Sequence, residues 1–79
     1  MDKMIIRCYF MNSKDFIKEI TKNFSIQYSK KFNYRQDIGL FLYDDWLLIG
    51  EENTMQSFRK SIENEDYDIE ILDWEKDYL

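Results

Sequence analysis

Residues 38–50 read Ile-Gly-Leu-Phe-Leu-Tyr-Asp-Asp-Trp-Leu-Leu-Ile-Gly, from Ile38 to Gly50. Two apolar runs flank a pair of carboxylates. Runs of Ile, Leu and aromatic residues bounded by turn formers are strand signals. The stretch therefore predicts strands over Ile38–Tyr43 and Trp46–Gly50, with Asp44-Asp45 as a tight hairpin turn between them; Asp-Gly would be the stronger turn signal. An isolated hairpin is barely stable in water. The rest of the chain must supply further strands and a cover.

Upstream, Met4–Met11 (MIIRCYFM) reads as a strand. Met4, Ile6, Cys8 and Phe10 fall on one face and Ile5, Arg7, Tyr9 and Met11 on the other. Asn12 or Ser13 offers an N-cap, and Asp15 suits the positive end of the helix dipole. A helix over about Ser13–Phe24 follows, with Phe16, Ile17, Ile20 and Phe24 as its apolar stripe. Ser25–Tyr34 reads two ways. Ile26, Tyr28, Phe32 and Tyr34 alternate with polar residues, which favours a strand. Phe16, Ile20, Phe24 and Tyr28 are spaced by four, which would let the helix run on.

Downstream, Asn53 or Thr54 caps a second helix with Met55, Phe58 and Ile62 on its apolar side. Tyr67–Asp73 closes the pattern as a strand, with Tyr67, Ile69 and Ile71 inward and Asp68 and Glu70 outward. An acidic, aromatic tail, Trp74–Leu79, follows. The order is β-α-β-β(-β)-α-β over residues 1–79, a single α+β domain. Two helices are expected on one face of an antiparallel sheet, an arrangement that resembles the split βαβ or ferredoxin-like fold. The opposite face is then open, with Tyr9, Phe41, Tyr43, Leu72 and Trp74 as candidates to line it.

Composition narrows the chemistry. The chain has 79 residues, no His, no Pro, one Cys and two Gly. Without His and with Cys8 alone, a Cys/His zinc site, a Ser–His triad and a disulfide framework are excluded. Gly39 and Gly50 make no phosphate-binding loop. The apolar runs fall far short of the ~18 residues of a membrane span. No signal peptide is expected from the opening residues. Cys8, on the inward face of its strand, reads as a buried structural thiol, and a one-Cys chain fits a reducing cytoplasm. Phe, Tyr, Met, Ile, Asn and Lys supply 39 of 79 residues, whereas Gly, Ala, Arg and Pro supply five. That bias follows AT-rich codons and points to a low-GC bacterium or one of its phages.

Charge is unevenly placed. Residues 1–36 hold eight cations and three anions; residues 37–79 hold three cations and thirteen anions. Such asymmetry predicts a dipolar surface whose acidic side attracts cationic partners and repels nucleic acid. Several carboxylates adjoin a large ring: Asp45-Trp46, Asp66-Tyr67, Asp73-Trp74 and Asp77-Tyr78. Rings give buried anchors, and carboxylates give steering and specificity. The expected partner-binding set is Asp44, Asp45, Trp46, Glu51, Glu52, Glu65, Asp66, Asp68, Glu70, Asp73, Trp74, Glu75 and Asp77. No spaced Asp/Asn loop with a central Gly suggests calcium.

Two other constellations compete with that set. Phe41–Gly50 resembles the aspartate-pair hairpin of reverse transcriptases, whose carboxylates hold two metal ions. Here the aromatic stands directly before the pair rather than one residue further upstream. Met4–Met11 supplies no third carboxylate, and 79 residues leave no room for a template channel. Lys14, Lys18 and Lys22 line one helix face, and with Lys30, Lys31 and Arg35 they could serve an RNA-binding domain. The acidic last strand opposes that use.

The expected function is a non-enzymatic, acidic, protein-binding inhibitor without cofactors. Its expected partner is a basic protein, with no direct nucleic acid and no membrane, and with homodimer formation left open. The economical setting is a phage or mobile-element antagonist of a host nucleic-acid-binding defence complex, of the anti-CRISPR kind. An immunity protein or antitoxin against a basic nuclease toxin uses the same physics. A small RNA-binding regulatory domain is the third alternative.

Overall fold

In a computed structural model of the chain, the described residues are 1–10, 12–32, 43–64 and 67–76. The elements are β1 (Asp2–Cys8), α1 (Ser13–Phe24), β2 (Gln27–Phe32), β3 (Asp44–Gly50), α2 (Glu52–Asn64) and β4 (Ile69–Glu75). The strands form one sheet in the order β2-β3-β1-β4, with every neighbouring pair antiparallel. β1 and β2 thus run parallel with β3 between them, and β3 and β4 run parallel with β1 between them. Each helix is the crossover of one such split unit. The α+β class, the antiparallel sheet and the two helices agree with the sequence reading.

β1 alternates without interruption. Asp2, Met4, Ile6 and Cys8 are buried, and Lys3, Ile5 and Arg7 are half-buried on the other face. Both helices bury their stripes against the first set. Ile17 and Ile20 come from α1, and Met55, Phe58 and Ile62 from α2, into one cluster with Met4, Ile6, Cys8, Ile26, Trp46 and Leu48. Both helices therefore cover the same sheet face. Each large apolar side chain so buried stabilises the fold by about 1.5–3 kcal/mol. Gly50 is buried where β3 runs beneath α2. A Cβ there would stand 3.1 Å from Met55 Sδ and 3.3 Å from Ile26 Cγ1, a close approach that glycine allows.

The ambiguous stretch resolves as a strand, β2. α1 stops at Phe24 because Ser25 turns left-handed, with φ 55°. The Ile26 N–H then donates to the Thr21 carbonyl at 3.1 Å. That conformation ends the helix and breaks the spacing-by-four pattern before Tyr28.

The hairpin reading does not hold. Asp44 and Asp45 are the first residues of β3, opposite Cys8 and Arg7 of β1. Partners from α1 and β1 make this favourable: Ser13 Oγ donates to Asp44, and the Arg7 guanidinium pairs with Asp45. Residues 38–42 of the expected preceding strand lie outside the described residues. Asn12 does occupy the N-cap position of α1, but left-handed (φ 61°) and without a side-chain capping bond. Ser13 directs its hydroxyl to Asp44 instead of capping. β1 starts and stops earlier than Met4–Met11, α2 begins at Glu52, and β4 runs later than Tyr67–Asp73.

β4 carries an irregularity that decides its chemistry. Ile6 stands opposite Ile71, but Ile5 stands opposite Asp73, so Leu72 is an extra residue. A bulge of this kind reverses the alternation beyond it. Ile69, Ile71 and Trp74 consequently pack toward the helices. Glu70, Asp73 and Glu75 stand across from Arg7, Ile5 and Lys3 on the open face.

Candidate functional site

The open sheet face has two charged regions. The inner one joins β3 to β1. Arg7 Nε donates to Asp45 Oδ1 at 2.8 Å, and Nη2 donates to Oδ2 at 3.0 Å. The Tyr43 ring lies 4.0 Å from the guanidinium carbon, and Tyr9 meets Tyr43 edge-on at 6.1 Å. Asp45 is 6% exposed. The hydrogen bonds to Asp45 raise the Arg7 pKa further, with burial opposing. The pair is a rigid bidentate clamp, with its carboxylate spent inside the protein.

The outer region is β4, which has a neighbour on one side only among the described residues. Glu70, Asp73 and Glu75 are exposed. Glu70 accepts a 2.6 Å bond from the Tyr9 hydroxyl, and this bond is the main cause that raises the Tyr9 pKa. Glu75 meets Lys3 at 3.1 Å. Each carboxylate keeps further lone pairs for a partner. Asp68, just before β4, is exposed and offers its carbonyl to the Tyr9 N–H at 3.0 Å. Exposed apolar surface lies along this strand too: Tyr9, bonded to Glu70, is 36% exposed and Leu72, at the bulge, 39%, whereas Tyr67, 41% exposed, sets its ring 4.6 Å from that of Phe16 on α1.

The expected set is thus divided. Asp68, Glu70, Asp73 and Glu75 line one sheet edge. Glu51 and Glu52 are exposed at the junction of β3 and α2. Asp44, half-buried, accepts the Ser13 hydroxyl at 2.6 Å, and Ser13 Oγ accepts the Trp46 indole N–H at 3.1 Å. Trp46 is 2% exposed, so it is a core residue and not a contact. Trp74 is also misplaced by the sequence reading. It faces the helices, donates its indole N–H to Asp2 Oδ2 at 2.8 Å, and has Arg59 and Lys76 over its ring at 5.3 and 5.0 Å. The bulge at Leu72 is the reason. Glu65, Asp66 and Asp77 lie outside the described residues, as does Phe41 of the open-face candidates.

Sequence reasoning left Tyr9 and Leu72 out of the partner-binding set, and Tyr67, read as inward, does meet Phe16 of α1. Their signal was present: Tyr9 and Leu72 were placed on the open face, but without a register they could not be put beside Glu70 and Asp73. Cys8 is buried, and that burial, aided by Asp44 and Asp45, pushes its thiol up to about 12. Lys14, Lys18 and Lys22 are exposed on α1, a helix that covers the sheet face opposite Glu70, Asp73 and Glu75. Among the described residues no group of three or more His, Cys, Asp or Glu is placed to hold a metal ion, and no helix is long and apolar enough to cross a membrane.

Fold and surface together define a small split-βαβ domain with an acidic outer strand. No protein-family model, curated protein or solved structure matches the chain.

Proposed function

We propose that the chain is a non-enzymatic binding module whose acidic edge occupies the cationic, nucleic-acid-binding surface of another protein. The observation that carries this is the alignment of Glu70, Asp73 and Glu75 on one face of an outer strand, with the exposed Tyr9 bonded to Glu70 and the exposed Leu72 at the bulge between them. Because the bulge sets the three carboxylates opposite alternate β1 residues, Arg7, Ile5 and Lys3, they form a linear array of negative charge about 6.6 Å apart, two strand residues at ~3.3 Å each. Such an array steers a Lys/Arg-rich surface and competes with a polyanion for it. The neighbouring Tyr9 ring and Leu72 give the complex apolar contact that charge alone lacks. The setting that fits is a phage or mobile-element antagonist of a host nucleic-acid-binding defence complex. The lysine row of α1 stays on the far side, clear of the partner.

Capture of proteins on the immobilised chain from a nuclease-treated bacterial lysate, followed by elution with added DNA or RNA, tests the proposal. The expected result is a basic protein that nucleic acid displaces. Capture indifferent to nucleic acid contradicts occlusion.

A further inference from the structure

We infer that the outer edge of β4 takes up an extended, lysine- or arginine-bearing segment of the partner as a fifth strand of the sheet. This rests on the acidic-edge reading above and adds the mode of capture. Among the described residues β4 pairs with β1 and with no other strand. Among the described residues its other side thus presents backbone N–H and C=O groups that a segment of another chain can pair with.

The side chains state which segment. An added strand places every second side chain on the open face, ~4.5–5.5 Å from its neighbours on β4. Those neighbours are Glu70, Asp73 and Glu75, all exposed, and the strand Ile69–Glu75 holds no cation. Two copies of this edge would set like charges against each other, so the acids disfavour self-pairing and favour a cationic strand. The bulge at Leu72 interrupts the ladder, so pairing is short, and the exposed Leu72 side chain adds apolar surface on that strand. The β2 edge is no equivalent alternative, because its sequence carries Lys30 and Lys31.

The probe is an alternating Thr-Lys peptide of about eight residues, a usual strand length. Two further forms are N-methylated, one at every threonine and one at every lysine. In a strand, successive N–H groups point to opposite edges, so methylation of one set removes the donors that face β4 and the other set leaves them. The expected result is that one methylated form binds like the parent, the other binds at least ~10-fold more weakly, and the parent slows amide hydrogen exchange within Ile69–Glu75. Equal affinity of all three peptides, with binding still abolished by E70K/D73K/E75K, overturns strand addition and leaves the acidic-edge reading intact. Absence of binding by all three at low salt overturns both.

Discussion

Asp45-Trp46 and Asp73-Trp74 are the same dipeptide on two strands of one sheet, and both place the carboxylate on the open face and the indole toward the helices. Their fates diverge. On β3, flanked on both sides, Asp45 is 6% exposed and held by Arg7, while Trp46 is 2% exposed. On β4, at the edge, Asp73 is exposed and Trp74 only half-buried. Position in the strand order, rather than local sequence, decides whether a carboxylate becomes part of the scaffold or stays available to a partner. An inner strand surrounds its side chains with neighbours on two sides, and an outer strand leaves one side to water.

The largest contrast lies in the indoles. Trp46→Ala removes a buried ring and its bond to Ser13, and costs about 3–5 kcal/mol in urea unfolding. Trp74→Ala is expected to cost roughly half as much, because less of the ring is enclosed. Equal costs would break the comparison. The aspartates come next. Asp45→Asn takes the charged acceptor from the Arg7 guanidinium and is expected to cost on the order of 1.5–3 kcal/mol. Asp73→Asn on the exposed edge should stay within ~0.5 kcal/mol. Both are read from the same denaturant midpoints.

A further effect, absent at neutral pH, follows from the burial of Cys8 beside the β3 acids. Its thiol ionises only near pH 12 when folded, above the ordinary thiol value. The sign follows from proton counting. Between about pH 9 and 12 the unfolded chain loses this proton while the folded one keeps it, so stability falls as pH rises, by on the order of 1 kcal/mol per pH unit. Below that window the thiol contributes no slope. Cys8→Ala should flatten the alkaline limb of stability against pH, and a limb unchanged by the substitution would show that Cys8 is not its source.

The sequence made much of the scaffold legible. The alternation of Met4, Ile6 and Cys8 and the stripes Ile17/Ile20 and Met55/Phe58/Ile62 predicted the buried face, because periods of 2 and 3.6 are properties of the chain itself. What was hidden depends on register. Asp44-Asp45 looks like a turn until Ser13 and Arg7 arrive from other elements as partners. Trp74 looks outward by strict alternation, and only the extra residue at Leu72, visible once β4 is aligned on β1, turns it inward and brings Asp73 beside Glu70 and Glu75. A left-handed Ser25 likewise cannot be read from a serine. The acidic site was legible in charge and coarse location; its membership required the pairing.

Calorimetric titration with a lysine decamer at low salt tests most directly whether the β4 carboxylates, and not those of β3, form the accessible acidic surface. With folding of each variant verified by circular dichroism, E70K/D73K/E75K is expected to lose at least ~10-fold in affinity, while D45N binds within roughly twofold of the unaltered chain. Loss of binding in D45N, with the triple variant unaffected, would contradict the account.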